Sequence, residues 1–424
     1  MSKLVDLVEF NPSVRLKKGE VAPFIEMAAL PTNARDIPQL GTREFSGSGS
    51  KFENGDTLFA RITPCLENGK GGYVSTLRPS TAGHGSTEFI VMRARSSSDS
   101  LFVYYLTREP EFRRFAEKQM SGTSGRQRVS WQSLAEYDVP EILPAQRAAI
   151  GATLGALDDK IELNRKMNAT LEAMARALFR DWFVDFGPTR AKTEGRAPYL
   201  SPDLWSLFPD RLDAERKPEG WAYEPLLDQA EWVNGAAYKN MHFSDAPDAL
   251  PVIKIAELKN GVTGNTQWTA TDLGARYLID DGELLFSWSG NPDTSIDTFL
   301  WTGGKAWLNQ HIFAVRSNGK RSKPYLHSLL KFLKPEFAEL ARNKQTTGLG
   351  HVTKADMQRM MVCTASPEVH SAFDRLIEPI FKQALGLQME TRTLSQTRDL
   401  LLPRLMSGEL RVADLTPSER EAAA

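Results

Sequence analysis

A chain of 424 residues holds about three domains' worth of sequence at roughly 150 residues each. Hydrophobic residues make up 41% and charged residues 25%, which excludes wholesale disorder. Lys plus Arg number 52 against 53 Asp plus Glu, a net charge of −1 that excludes both a polybasic nucleic-acid coat and an acidic tail protein. DNA binding stays open, because the placement of basic residues matters and not their sum. Cys65 and Cys363 are too few for a disulfide scaffold or a thiolate zinc site. The opening MSKLVDLVEFNPS has no apolar core segment, and no run of about 18 apolar residues occurs, so a cytoplasmic protein without a membrane partner is expected.

Residues 1–143 carry short apolar runs, Phe24-Ile25, Thr57–Ala60 and Phe89–Met92, punctuated by Gly, Pro and Asn. That pattern predicts short strands and turns in a mixed α/β globule. Segment 101–120 reads as helix, interrupted near Pro110. Residues 144–186 change period. Ile150, Leu154, Leu157, Ile161, Asn164, Asn168, Leu171, Ala175, Leu178 and Trp182 alternate steps of four and three, a heptad seam opened by Pro144. Residues 187–220 hold five prolines and alternating charge, which predicts a linker with one short helix near Leu204–Phe208. Residues 221–366 return to the strand-and-turn pattern, with a helix interrupted near Pro335. Residues 367–412 repeat the seam as Phe373, Ile377, Ile380, Ala384, Leu387, Thr391, Leu394, Arg398, Leu401 and Leu405. Pro379 and Pro403 are expected to kink or bound this second helix. Residues 413–424 read as a flexible tail.

The chain repeats itself. PFIEMAAL (23–30) answers PVIKIAEL (251–258) at an offset of 228, and NGDTLFA (54–60) answers DGELLFS (281–287) at 227. EFIVMRA (88–94) with HIFAVRS (311–317), TSGRQRVS (123–130) with TTGLGHVT (346–353), and Leu171 with Leu394 all lie at 223. Matches in the same order, with offsets drifting only through loops, mark a tandem duplication. The fold expected is α+β: two similar mixed α/β domains separated by an antiparallel pair of long coiled-coil helices, related by a pseudo-twofold axis. Asn164 and Asn168 interrupt the apolar seam, either fixing its register or marking where the helices splay.

Familiar catalytic patterns are missing. GSGSKF (47–52) lacks the third glycine of a dinucleotide loop, there is no Walker A run, and Asn291-Pro292-Asp293-Thr294 fails as an amino-methyltransferase box. No catalytic residue and no metal site is assigned. Asp248, Glu257 and Lys259 form a degenerate nuclease-like spacing, which keeps a self-contained nuclease as an alternative. A duplicated protein-binding scaffold is the other. What remains is binding. Ser124, Gly125, Arg126, Gln127 and Arg128 combine glycine for close approach with side chains that can contact base edges. Their counterparts are Thr347, Gly348 and His351, with Lys354 shortly after. Lys51, Arg61 and Lys70 in the first copy, and Lys305, Asn309 and Gln310 in the second, are weaker candidates.

The stretch LDDKIELNRKMNATLEAMARALFRDWFVDF (157–186) resembles the central conserved region of type I restriction–modification specificity subunits, and LLLPRLMSGEL (400–410) resembles the distal one. That resemblance implies two target-recognition domains, 1–143 and 221–366, held by conserved helices 144–186 and 367–412. It implies a non-catalytic subunit that reads a bipartite, asymmetric duplex DNA site, one half-site per domain. It further implies two modification (methyltransferase) subunits and restriction (translocase/nuclease) subunits as partners. Methylation would be of adenine, and S-adenosylmethionine, ATP and Mg²⁺ would sit on those partners, none on this chain. Arg165, Arg176 and Arg180 are the central-helix positions expected to face the modification subunits. A helix over 144–182 would span about 58 Å, long enough to set the gap between half-sites.

Overall fold

The computed structural model describes residues 2–37, 40–123, 125–345 and 349–415. The chain forms two compact units, Met1–Leu163 with Thr391–Ala424, and Asn164–Glu390. Neither unit follows the segments drawn from the sequence. Each takes one globule together with part of both long helices.

In the first unit the globule has two four-stranded sheets. The strands of these two sheets are β1 (Val8–Phe10), β2 (Val21–Ile25), β3 (Gly41–Glu44), β4 (Ser50–Phe52), β5 (Thr57–Ala60), β6 (Gly71–Tyr73), β7 (Gly83–Gly85) and β8 (Phe89–Ala94). One sheet runs β1-β8-β5-β6, wholly antiparallel, and the other runs β3-β2-β7-β4 with β2 and β7 parallel. The second unit repeats this strand for strand. There β9 (Glu231–Asn234), β10 (Leu250–Ile253), β11 (Trp268–Thr269), β12 (Leu278–Ile279), β13 (Leu284–Ser287), β14 (Asp297–Leu300), β15 (Ala306–Leu308) and β16 (Ile312–Arg316) form β9-β16-β13-β14 and β11-β10-β15-β12. The registers obey the sequence offsets. Leu58 opposes Val91 as Leu285 opposes Ala314, and Phe24 opposes His84 as Val252 opposes Trp307. A one-residue slip would turn every side chain to the other face, so agreement in register is agreement in fold.

Between the sheets the copies fill the same space differently. Phe52 pairs across strands with Gly83, and a Cβ on Gly83 would come within 2.3 Å of the Phe52 ring. At the same place in the second unit Ile279 pairs with Ala306. Large-plus-nothing has been exchanged for medium-plus-small, which conserves volume. Gly83→Ala alone is expected to destabilise the chain by about 1–3 kcal/mol, and adding Phe52→Ile to recover most of that loss. Urea unfolding of the two variants decides it, and a double variant no more stable than the single would refute the exchange.

After β8 come helices Ser100–Arg108 and Pro110–Lys118, and after β16 come Lys323–Phe332 and Lys334–Arg342. Each pair breaks where the sequence placed a proline. The two long helices, Pro144–Phe183 (central) and Pro367–Met406 (distal), pack antiparallel within each unit. In the first unit Ile150, Leu154, Leu157 and Ile161 share a core with Leu394, Leu401 and Leu405. In the second, Phe179, Trp182 and Phe183 close on Phe373 and Ile377, with Tyr325 of the globule inserted among them. Ala384 is buried, while Leu171, Leu178, Ile380, Leu387 and Asn168 are half-buried. Asn164 is fully buried, and its amide donates to the Glu390 carboxylate at 2.8 Å. At this position the register reading holds over the splayed one.

Two expectations need correction. The distal helix runs unbroken through Pro379 and Pro403. Pro379 is exposed, so the carbonyl it leaves unpaired can be solvated, and Pro403 lies in the last turn, beside buried Leu401, Leu402 and Leu405. Burial of the apolar face outweighs one lost hydrogen bond at each. The linker 187–220, expected to hold one short helix, carries more structure than that. Gly187–Thr193 is helical, Pro202–Trp205 makes the expected short turn of helix, and Phe208 packs edge-on to Trp182 at 4.9 Å. In the tail, Val412–Asp414 forms a 3-10 turn and Leu415 is buried.

Candidate nucleic-acid interface

One loop stands at the same place in both globules, and backbone hydrogen bonds put it there. In the first unit Arg61 N–H donates to the Glu88 carbonyl at 3.0 Å, and Val129 N–H donates to the Arg61 carbonyl at 2.9 Å. Ser121 and Arg128 exchange hydrogen bonds at 3.0 and 2.9 Å, closing a hairpin. Gly122 and Gly125 take positive φ of 129° and 77°, conformations that favour glycine. Val129 is buried, and Ser130 caps the following short helix, Trp131–Ala135. The second unit is built alike. Trp288 N–H faces the His311 carbonyl at 3.4 Å, Val352 N–H donates to the Trp288 carbonyl at 2.8 Å, and Thr353 caps Lys354–Arg359. Gly350 must be glycine, because a Cβ there would sit 2.4 Å from the Ala341 carbonyl oxygen.

The side chains on this shared frame differ. Arg128 lies against Glu88 edge to edge, with Nε 3.0 Å from both carboxylate oxygens and Nη2 2.6 Å from Oε1. The Arg128 hydrogen bonds hold the Glu88 carboxyl below its ordinary value, partial burial working against them. At the equivalent positions the second unit has His311 and His351, both exposed, and Trp288 in place of Arg61. Trp288 donates to the Asn234 side-chain oxygen at 3.0 Å and lies 5.5 Å from the His311 ring. Behind the loop, Lys344 and Thr353 keep the Asp356 carboxyl down at about 2, although burial pushes it up.

The residues singled out from the sequence divide clearly. Gly125 and Arg126 are exposed at the hairpin tip. Gln127 is half-buried and tied to Thr63 through its backbone at 3.1 Å in both directions. Arg61 is half-buried, with its Nε enclosed and unpartnered among the described residues. His351, Lys354, Lys305 and Gln310 are exposed, Lys354 lying over the Phe313 ring at 5.7 Å. Ser124, Thr347 and Gly348 lie outside the described residues. Three candidates have other work in the fold. Lys51 points inward to the Val14 and Leu16 carbonyls, Lys70 donates to the Met27 carbonyl at 2.8 Å, and Asn309 is buried with its N–H on the Ile253 carbonyl. Glu88, Trp288 and His311 were missed. Carrying the offsets of 223 and 227 from Glu88 and Arg61 would have found the last two.

The nuclease-like spacing does not assemble. Glu257 is buried in the first turn of helix Ile255–Asn260, where it accepts from Lys254 N–H at 3.0 Å, Lys259 reaches Ser295 at 3.2 Å, and Asp248 is exposed. Among the described residues no cluster of three His, Cys, Asp or Glu could hold a metal ion. No helix among them is long and apolar enough to cross a membrane.

Comparison with known proteins agrees with this architecture. Residues 218–363 match the family described as the type I restriction modification DNA specificity domain. The chain is 26% identical to the MjaIX specificity subunit of Methanocaldococcus jannaschii, covering 96% of this chain and 91% of that one. It is 25% identical to the HindI specificity subunit of Haemophilus influenzae, covering 97% of both. A crystal structure of the type I restriction–modification S subunit from M. genitalium shares the fold, with a TM-score of 0.52 at 13% identity over 95% of this chain and 94% of that one. A duplicated pair of four-stranded sheets, two antiparallel helices and similarity along nearly the whole length lead to one conclusion: the chain is similar throughout to type I restriction–modification specificity subunits.

Proposed function

We propose that the chain is the DNA sequence-recognition subunit of a type I restriction–modification complex. Each globule reads one half of a bipartite site, and the halves differ in sequence. The observation that carries this is the common frame with unlike side chains: Arg61, Glu88 and Arg128 in one globule, Trp288, His311 and His351 in the other. A shared backbone hydrogen-bond frame brings side chains to corresponding positions, while base identity is read by the side chain itself. The chain supplies no chemistry of its own. Two modification subunits, with S-adenosylmethionine, would methylate adenine, and restriction subunits would bring ATP and Mg²⁺. The exposed faces of the helix pair are where the modification subunits would dock. Of the arginines expected there, Arg176 is exposed, and Arg180 is exposed and pairs with Asp185 at 3.0 Å.

Expressing the chain with its modification subunits in a methylation-free host should produce one split, asymmetric N6-methyladenine motif. Omitting the chain should abolish it. A contiguous or palindromic motif, or methylation that survives the omission, would count against this reading.

A further inference from the structure

The Glu88–Arg128 contact leaves one edge of the guanidinium unspent. A guanidinium presents five N–H donors in a planar fork. Glu88 takes the side edge, Nε and one hydrogen of Nη2, at 2.6–3.0 Å. Among the described residues Nη1 has a single long contact, 3.4 Å to the Arg126 carbonyl. What is left is the end edge, one hydrogen on each terminal nitrogen, parallel and in plane. That pair matches guanine O6 and N7 in the major groove.

We infer that Arg128 reads a guanine in the half-site of the first globule, with Glu88 as the positioning residue that sets its angle. The inference rests on the recognition function proposed above. Three further observations support it. Arg128 is held at the backbone by reciprocal hydrogen bonds with Ser121 and by a bridge to Ile62, so the side chain starts from a fixed point. Its side chain is 41% exposed, so the free edge can reach a ligand. The carboxylate lock also spends the rotamer freedom before binding, which a lone surface arginine would lose only on the DNA. Arg126 at the tip shows no such lock among the described residues and suits a phosphate contact, which positions without specifying. The second globule has His311 and His351 at these two positions and therefore no arginine fork. Guanine reading at this point belongs to one half-site alone.

The test is a methylome measured with the full chain and its modification subunits. The wild-type motif should contain guanine in the half-site assigned to the first globule, identified by His351→Ala altering only the other half. Arg128→Lys keeps the charge and removes the fork. It should cost that guanine roughly 10-fold or more in preference over other bases while the second half-site stays unchanged. Glu88→Gln should relax the same base and no other. The intact second half-site serves as the internal control for folding. Arg128→Lys with the motif unaltered, uniformly weakened methylation with the motif intact, or loss of methylation altogether each overturns the assignment. A wild-type chain that yields no split motif overturns the recognition function, and this assignment with it.

Discussion

Arg398→Met is expected to destabilise the first unit by about 3–5 kcal/mol, far more than any exposed ion pair in the chain. Arg398 reaches across the helix pair to Asp158 at 2.6 Å, and the two side chains are only 13% and 4% exposed. Tyr105 of the globule donates to the other oxygen of Asp158, also at 2.6 Å. Burial works against the Arg398 charge, but Asp158 and Asp399 more than offset it and raise the guanidinium above its ordinary value. Removing the arginine strands a buried carboxylate. Asp158→Asn added to Arg398→Met should recover at least half of the loss, because the amide is neutral and still accepts from Tyr105. Arg398 also touches Asp399, but that partner is 64% exposed and its contact is worth under about 1 kcal/mol. The apparent melting midpoint should fall by roughly 10 °C for the single variant, at about 2–4 °C per kcal/mol for a unit of this size. A loss below about 1 kcal/mol would show that the pair does not hold the helices.

The second large effect is acid sensitivity in the other unit. Burial pushes His327 and His370 down to about 3, the charges of Lys331 and Arg321 respectively adding to it. His370 stacks on Phe183 at 5.2 Å and accepts a hydrogen bond from Ala365 N–H, which requires a bare ring nitrogen. Both are therefore neutral in the folded state. A depressed pKa contributes stability that is complete above about 6.5 and is lost as pH falls from there toward 3. Two pH units below 6.5, each histidine should have cost on the order of 2 kcal/mol. Asp181 and Asp374 work in the opposite sense, since burial raises their carboxyls, so the net slope alone is not diagnostic. His327→Gln with His370→Gln isolates the term. Urea midpoints of the wild type should drop between pH 7 and 4.5, and those of the double variant should drop much less. Equal slopes would remove the histidines from the account.

Much of the architecture was legible because the chain supplies its own second copy. Leu58 and Leu285, or Val91 and Ala314, could be aligned by offset alone, and the strand registers agree. The seam was legible because a heptad is a property of consecutive residues. What was not legible depended on contacts distant in sequence. Nothing near Lys51 or Lys70 says that their ammonium groups turn inward onto carbonyls. Nothing beside Glu88 in sequence marks it as Arg128's partner, which the fold brings to it across 40 positions. The order of 187–220 was hidden for the same reason. Its prolines signal a break in local pattern, while Phe208 is held by Trp182 on the preceding helix.

The division of the long helices between the units has a consequence for how the chain is made. Unit two is one continuous stretch, Asn164–Glu390, and has all its parts while the ribosome is still adding the distal half of the last helix. Unit one was begun earlier but finishes later. Until residues 391–415 emerge, the face of the central helix carrying Leu154, Leu157 and Asp158 lacks Leu394, Leu401 and Arg398. The globule translated first is thus the one left open longest, and a ribosome stalled near residue 390 would release a chain with its second globule complete and its first still exposing apolar surface.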